Sequence, residues 1–200
     1  MASIAIQMAS SLTYYYKQVE PGTYMYHCHV EAAEHMQMGM LGNLFVLPAQ
    51  DGTSKVYGGK TYTKFVYNDG DGSTGYNKGY FLQETAFDPN FHYADHTYNP
   101  LDLAGMNDTY LMLNGRSYPD TIDPNPIVNV YGNASQPIPA LITATAGQKI
   151  LIRLSSLSTV DFSTVTVLGI PMQVVGQGAR LLRGPTGTNT YYTTGSVTLG

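Results

Sequence analysis

The segment Tyr26-His27-Cys28-His29-Val30 sets the only cysteine of the chain between two histidines, and His35 and Met40 follow closely. Histidine is scarce, five in 200 residues, yet three of the five fall between positions 27 and 35. A thiolate, imidazoles and a thioether gathered in one short stretch are the soft and borderline donors of a blue-copper centre. A lone cysteine is ordinarily a small core hydrophobe, and a lone histidine a satisfied polar group. The clustering of two rare residue types argues for metal chemistry instead. Structural zinc generally takes four ligands with CxxC-type spacing, and no second cysteine exists. Copper is therefore the expected metal. Because a strand alternates its faces, an extended segment points Cys28 one way and His27 and His29 the other. One tripeptide can then serve a copper on one side and further metal on the opposite side.

The flanks supply the elements that must hold these residues. Pro21-Gly22 marks a turn, and Thr23-Tyr24-Met25-Tyr26 is rich in β-formers leading into His27. After the loop, Leu44-Phe45-Val46-Leu47 reads as a short buried strand stopped by Pro48. A strand, a ligand-bearing loop and a closing strand form the corner at which β-sandwich domains carry function.

The stretch Tyr24-Met25-Tyr26-His27-Cys28-His29-Val30-Glu31-Ala32-Ala33-Glu34-His35-Met36-Gln37-Met38-Gly39-Met40-Leu41-Gly42 resembles the copper-binding loop of the multicopper oxidases, the laccase-like enzymes. The resemblance implies that Cys28 and His35 bind the type 1 (blue) copper, with Met40 as its weak axial ligand. It implies that His27 and His29 each bind one of the paired type 3 coppers. Five residues, Val30 through Glu34, separate the second and third histidines where the most familiar signature has three. This reads as a loop insertion. Met36 and Met38 are rival axial candidates, for which loop packing is the preferred reading. The activity implied is one-electron oxidation of a small-molecule or metal-ion donor at the type 1 copper. Cys28 would pass each electron through the backbone to His27 and His29, and so to a type 2/type 3 trinuclear cluster that reduces dioxygen to water. A methionine axial ligand tunes the blue site toward a lower potential, favouring easily oxidised donors such as phenols or metal ions.

The expected fold is all-β: a cupredoxin-like Greek-key β-sandwich, with the C-terminal corner of one domain and most of a second. Residues 1–48 are expected to be the copper-binding remnant, 49–78 a linker, and 79–200 a second, truncated cupredoxin-like domain without evident copper ligands. Leu113-Asn114-Gly115-Arg116-Ser117-Tyr118-Pro119-Asp120-Thr121 resembles an early segment of a multicopper oxidase second domain, and Asn-Gly predicts a tight turn. Further strands are expected at 79–85, 110–113, 138–144, 149–154, 163–168, 172–175 and 196–199. The Asp- and Gly-rich run 67–75 lacks the spaced carboxylates and closing glutamate of a calcium loop, so a solvated turn is expected. His92 and His96 are spaced for one face of a helical turn, but a third ligand beyond Asp95 is not evident, and metal binding there is disfavoured.

Composition points the same way. Seventeen tyrosines, 21 glycines and only 12% charged residues favour sheets and turns over helices. The net charge of −4 and the lack of a basic stripe argue against a nucleic-acid partner. No apolar run reaches the length of a membrane helix. The mildly apolar opening Met1–Met8 has no basic n-region and is not a convincing signal peptide. The resemblance implies a periplasmic or secreted protein, with the missing cupredoxin segments of a longer parent, and in some cases further copies, as partners. Two rivals remain: a cupredoxin-type electron-transfer protein, in which His27 and His29 have no purpose, and a copper nitrite reductase, whose cysteine loop normally lacks histidine on both sides.

Overall fold

The computed structural model describes residues 6–95 and 102–200. Strands dominate and helices are few, consistent with an all-β, cupredoxin-like chain. Strand β1 (Gly22–His27), helix α1 (Ala32–Gln37) and strand β2 (Leu41–Val46) form the first unit, with β1 and β2 paired antiparallel from Gly22↔Val46 to His27↔Leu41. The predicted strands on both sides of the cysteine loop are thus present and partnered with each other. The residues before β1, from Ile6 to Glu20, run exposed without regular structure.

The stretch 49–78 contains two small hairpins: β3 (Lys55–Tyr57) with β4 (Lys60–Tyr62), and β5 (Lys64–Phe65) with β6 (Gly75–Tyr76). Gly58 and Gly59, both with positive φ, make the two-residue turn between the first pair. Tyr62, Phe65, Val66 and Tyr67 are among the most buried apolar residues of the chain, so this stretch is packed. The Asp-Gly run is likewise turned inward. Asp69 is only 4% exposed, and its carboxylate accepts from the backbone N–H of Gly72 at 2.8 Å and of Thr74 at 2.7 Å, and from Gln50 Nε2 at 2.8 Å. A carboxylate saturated by donors of its own loop and by Gln50 can be buried where a solvated one was expected.

The centre is a three-stranded sheet. The long strand β7 (Lys78–Phe87) leads into helix α2 (Pro89–Asp95), and β8 (Tyr110–Leu113) returns antiparallel to β7. Asn114 and Gly115, with φ of 54° and 78°, then make the expected tight turn, closed by Arg116 N–H to the Leu113 carbonyl at 3.1 Å. Beyond two short strands, β9 (Ile127–Val128) and β10 (Ala134–Ser135), strand β11 (Ile150–Ser156) joins the other side of β7 in parallel, Ile150 opposite Lys78 and Ser156 opposite Glu84. The remaining strands are β12 (Ser163–Thr166), β13 (Met172–Val174), β14 (Gly176–Gln177), β15 (Arg180–Leu181), β16 (Tyr192–Thr194) and β17 (Ser196–Leu199), paired β12–β17, β13–β16 and β14–β15. Residues 138–144, expected as a strand, carry no ladder.

The β1–β2 hairpin sits against the central sheet. Arg153 on β11 donates from Nη1 to Thr23 Oγ1 at 2.9 Å, and its guanidinium lies 5.3 Å from the centroid of the Phe45 ring. Phe45 meets Phe81 of β7 with centroids 5.3 Å apart, and Ser155 Oγ donates to Asn43 Oδ1 at 2.8 Å. Aromatic burial holds the hairpin on the sheet, and paired polar groups fix its register.

Candidate metal centre

Strand β1 ends at His27, but its ladder continues by one bond: the Cys28 N–H donates to the Met40 carbonyl at 3.0 Å. The two ends of the ligand loop are thereby tied face to face. Between them the chain turns sharply at Glu31, which has left-handed backbone angles (φ 51°, ψ 49°), and α1 begins at the next residue. The helix brings His35 back over the cysteine. The Cys28 Sγ lies 3.3 Å from His35 Nδ1 and 3.1 Å from the Val30 carbonyl oxygen. Five residues between His29 and His35 therefore close the loop as a turn followed by a helix.

The electrostatics of the pair are mutual. The neighbouring His35 imidazole draws the Cys28 thiol below its ordinary value, and the same hydrogen bond raises His35 above the ordinary imidazole value. A sulfur that deprotonates readily is what a metal–thiolate bond requires. His35 Nε2 points the other way, 3.7 Å from Glu31 Oε2. Glu31, Glu34 and His35 offer ligand atoms within 4.8 Å of one another. Sequence reasoning read the longer spacing as a loop insertion and gave the two glutamates no role. Glu34 is the sequence neighbour of His35, and Glu31 joins them one turn earlier, from its left-handed position at the start of α1.

His27 and His29 lie on one side together, ring centroids 5.7 Å apart and planes inclined by 55°. His27 Nδ1 is 2.6 Å from the Cys28 carbonyl oxygen, which directs its Nε2 outward. Both histidines are exposed, whereas Cys28 is half-buried. Met40 is brought opposite Cys28 by its backbone and is itself exposed, as is Met38. The structure thus brings Cys28 and His35 into contact, pairs His27 with His29, and places Met40 at the mouth of the same loop.

These residues fit copper. Two donor atoms on one metal, each about 2.0–2.3 Å from it, sit roughly 3.5 Å apart, close to the 3.3 Å between Cys28 Sγ and His35 Nδ1. The sulfur-and-imidazole donor set suits copper rather than a hard cation.

His92 plays a different part. It stacks on Phe87 with centroids 4.6 Å apart and planes 4° from parallel, meets Phe91 edge-on, and bonds through Nε2 to Gln37 Oε1 at 3.0 Å. That is a histidine satisfied by packing; His96 lies outside the described residues. Gln37 itself was missed. A glutamine two residues beyond a histidine carries no signal in sequence, yet it is 6% exposed and bonded on both sides of its amide.

Residues 2–50 match the family model for multicopper oxidases. The match spans about a quarter of the chain and contains all five candidate ligands, Cys28, His35, Met40, His27 and His29. No curated protein and no solved structure matches the chain. Over residues 2–50, the chain is similar to the multicopper oxidases.

Proposed function

We propose that residues 1–48 are the copper-binding part of a multicopper oxidase, followed by a second cupredoxin-like unit over 79–200. Cys28, His35 and Met40 hold the type 1 copper, and His27 and His29 hold the type 3 pair. The observation that carries this reading is the contact between Cys28 Sγ and His35 Nδ1, with the two flanking histidines ring to ring beside it. Bound copper supplies the one-electron couple for oxidising a donor and, in the trinuclear cluster, for reducing dioxygen to water. The protein's part is to offer Cys28 as a thiolate, hold His35 with Nδ1 toward it, and fix the outward nitrogen of His27 through the Cys28 carbonyl. The His27–His29 pairing favours the oxidase over a plain electron-transfer cupredoxin, which needs the type 1 ligands alone.

Five histidines are too few for a full set of family coppers, so dioxygen reduction belongs to an assembly in which other segments supply the remainder. Donor oxidation and a periplasmic or secreted location follow from the same reading. Among the described residues no helix is long and apolar enough to cross a membrane.

Copper(II) titration of the full chain tests the assignment. An intense blue thiolate–copper absorption is expected. Cys28→Ser should abolish it, and His29→Ala should leave it. A band that survives Cys28→Ser, or one that His29→Ala removes, overturns the ligand assignment.

A further inference from the structure

Helix α1, which carries His35, has six residues, too few to be stable by itself in water. Its orientation must be set by something outside it. At its last position, Gln37 is buried, and its side-chain amide reaches three distant parts of the chain. Nε2 donates to Asp108 Oδ1 at 2.6 Å and to Thr159 Oγ1 at 3.1 Å, and lies 3.4 Å from Met106 Sδ. Oε1 accepts from the Asp88 backbone N–H at 3.0 Å and faces His92 Nε2 at 3.0 Å.

The chemistry of these partners fixes which way the amide points. The Asp88 N–H can only donate, so it demands the oxygen, and a carboxylate can only accept, so Asp108 demands the nitrogen. His92 is clamped between its contacts with Phe87 and Phe91, so this donor cannot follow a wandering partner. Residues two apart on a helix point roughly 200° from each other. The anchorage that turns Gln37 into the body of the protein therefore turns His35 outward, onto Cys28.

We propose that Gln37 is the positioning residue of the ligand loop, locking α1 to the segments around Asp88, Asp108 and Thr159 so that His35 is held against Cys28. This rests on the copper reading above, and its test separates the two. In Gln37→Leu, of similar size but without polar atoms, copper(II) affinity of the full chain should fall about tenfold to a hundredfold, the usual cost of losing an outer support. The blue band should move in wavelength. Amide hydrogen exchange of the metal-free chain should quicken across residues 31–40 while β7 and β11 keep their protection. Asp108→Asn, which retains an acceptor oxygen for Gln37, should leave band and exchange as in the wild type.

The proposal is overturned if Gln37→Leu leaves exchange at 31–40 unchanged, or leaves affinity and band unchanged. It is equally overturned if β7 and β11 lose protection too, since Gln37 would then support the fold at large. If the wild-type chain gives no blue band, the copper reading falls, and exchange at 31–40 still decides whether Gln37 locks the helix.

Discussion

Single residues here are held by complementary donors and acceptors more than by bulk burial. Asp88 shows how. Its Oδ1 accepts from the N–H groups of Asn90 and Phe91 at 2.9 and 3.2 Å, capping α2 with Pro89 in the first helical position, and its Oδ2 accepts from Asn107 at 2.8 Å. Burial pushes the carboxyl upward, but the three backbone N–H groups outweigh it and hold it below the ordinary carboxylate value. A depressed folded-state pKa contributes stability above the unfolded value of about 3.9 that is lost as pH falls through the folded one. Asp88→Ala should therefore cost about 1–2 kcal/mol at pH 7, and much less near pH 2. Urea unfolding at the two pH values checks this, and an equal cost at both would show that the charge is not what α2 uses. Arg116 is the second such residue. It is 2% exposed and donates only to carbonyl oxygens: Gln136 from Nε at 2.9 Å, Asp120 and Asp123 from Nη1, and Asn125 from Nη2 at 2.8 Å. Lysine lacks that planar fork, so Arg116→Lys should lose about 2–3 kcal/mol. A denaturation midpoint like the wild type's would contradict this.

At the scale of elements, the sequence was most readable where turn chemistry and strand formers agree. The β-rich run Thr23–Tyr26 became part of β1, which already begins at Gly22 where a turn was expected, and Asn114-Gly115 became a two-residue turn with both φ values positive. The strand expected at 196–199 is β17, residue for residue. Residues 138–144 misled, because a short, largely apolar run promises a strand only if an edge is available to pair with. The His27-Cys28-His29 tripeptide stands out in the sequence by its rare residue types. The path that returns His35 to Cys28 does not, since it depends on a left-handed Glu31, which no residue preference announces. That conformation is strained for a side chain with a Cβ. Glu31→Gly should leave stability unchanged or raise it by up to about 1 kcal/mol, and a clear loss in thermal unfolding would show that the contact with His35 Nε2 outweighs the strain. Gln37 was invisible for a related reason: all of its partners come from residues at least fifty positions away.

The molecule as a whole is open. It exposes 13320 Å², where a compact chain of its mass would expose about 9,300 Å². Large apolar side chains such as Phe162, Leu168, Val130 and Ile170 are mostly in water. The purified chain should bind a hydrophobic dye strongly, more so than a compact protein of equal mass; negligible dye fluorescence would mean that these surfaces are covered. Within this loose body the cysteine loop has its two ends tied together, by the Cys28 N–H to the Met40 carbonyl. That bond makes β1 and β2 a stem with an eleven-residue cap between them. A stem of this kind tolerates exchange of its cap, so a shorter copper loop from another protein can be transplanted between residues 28 and 40 without re-registering the strands beneath. Loop length can then change without moving the strands beneath, but an exchanged cap gives up the Gln37 bonds to Asp88, Asp108 and Thr159, and with them the hold on its helix.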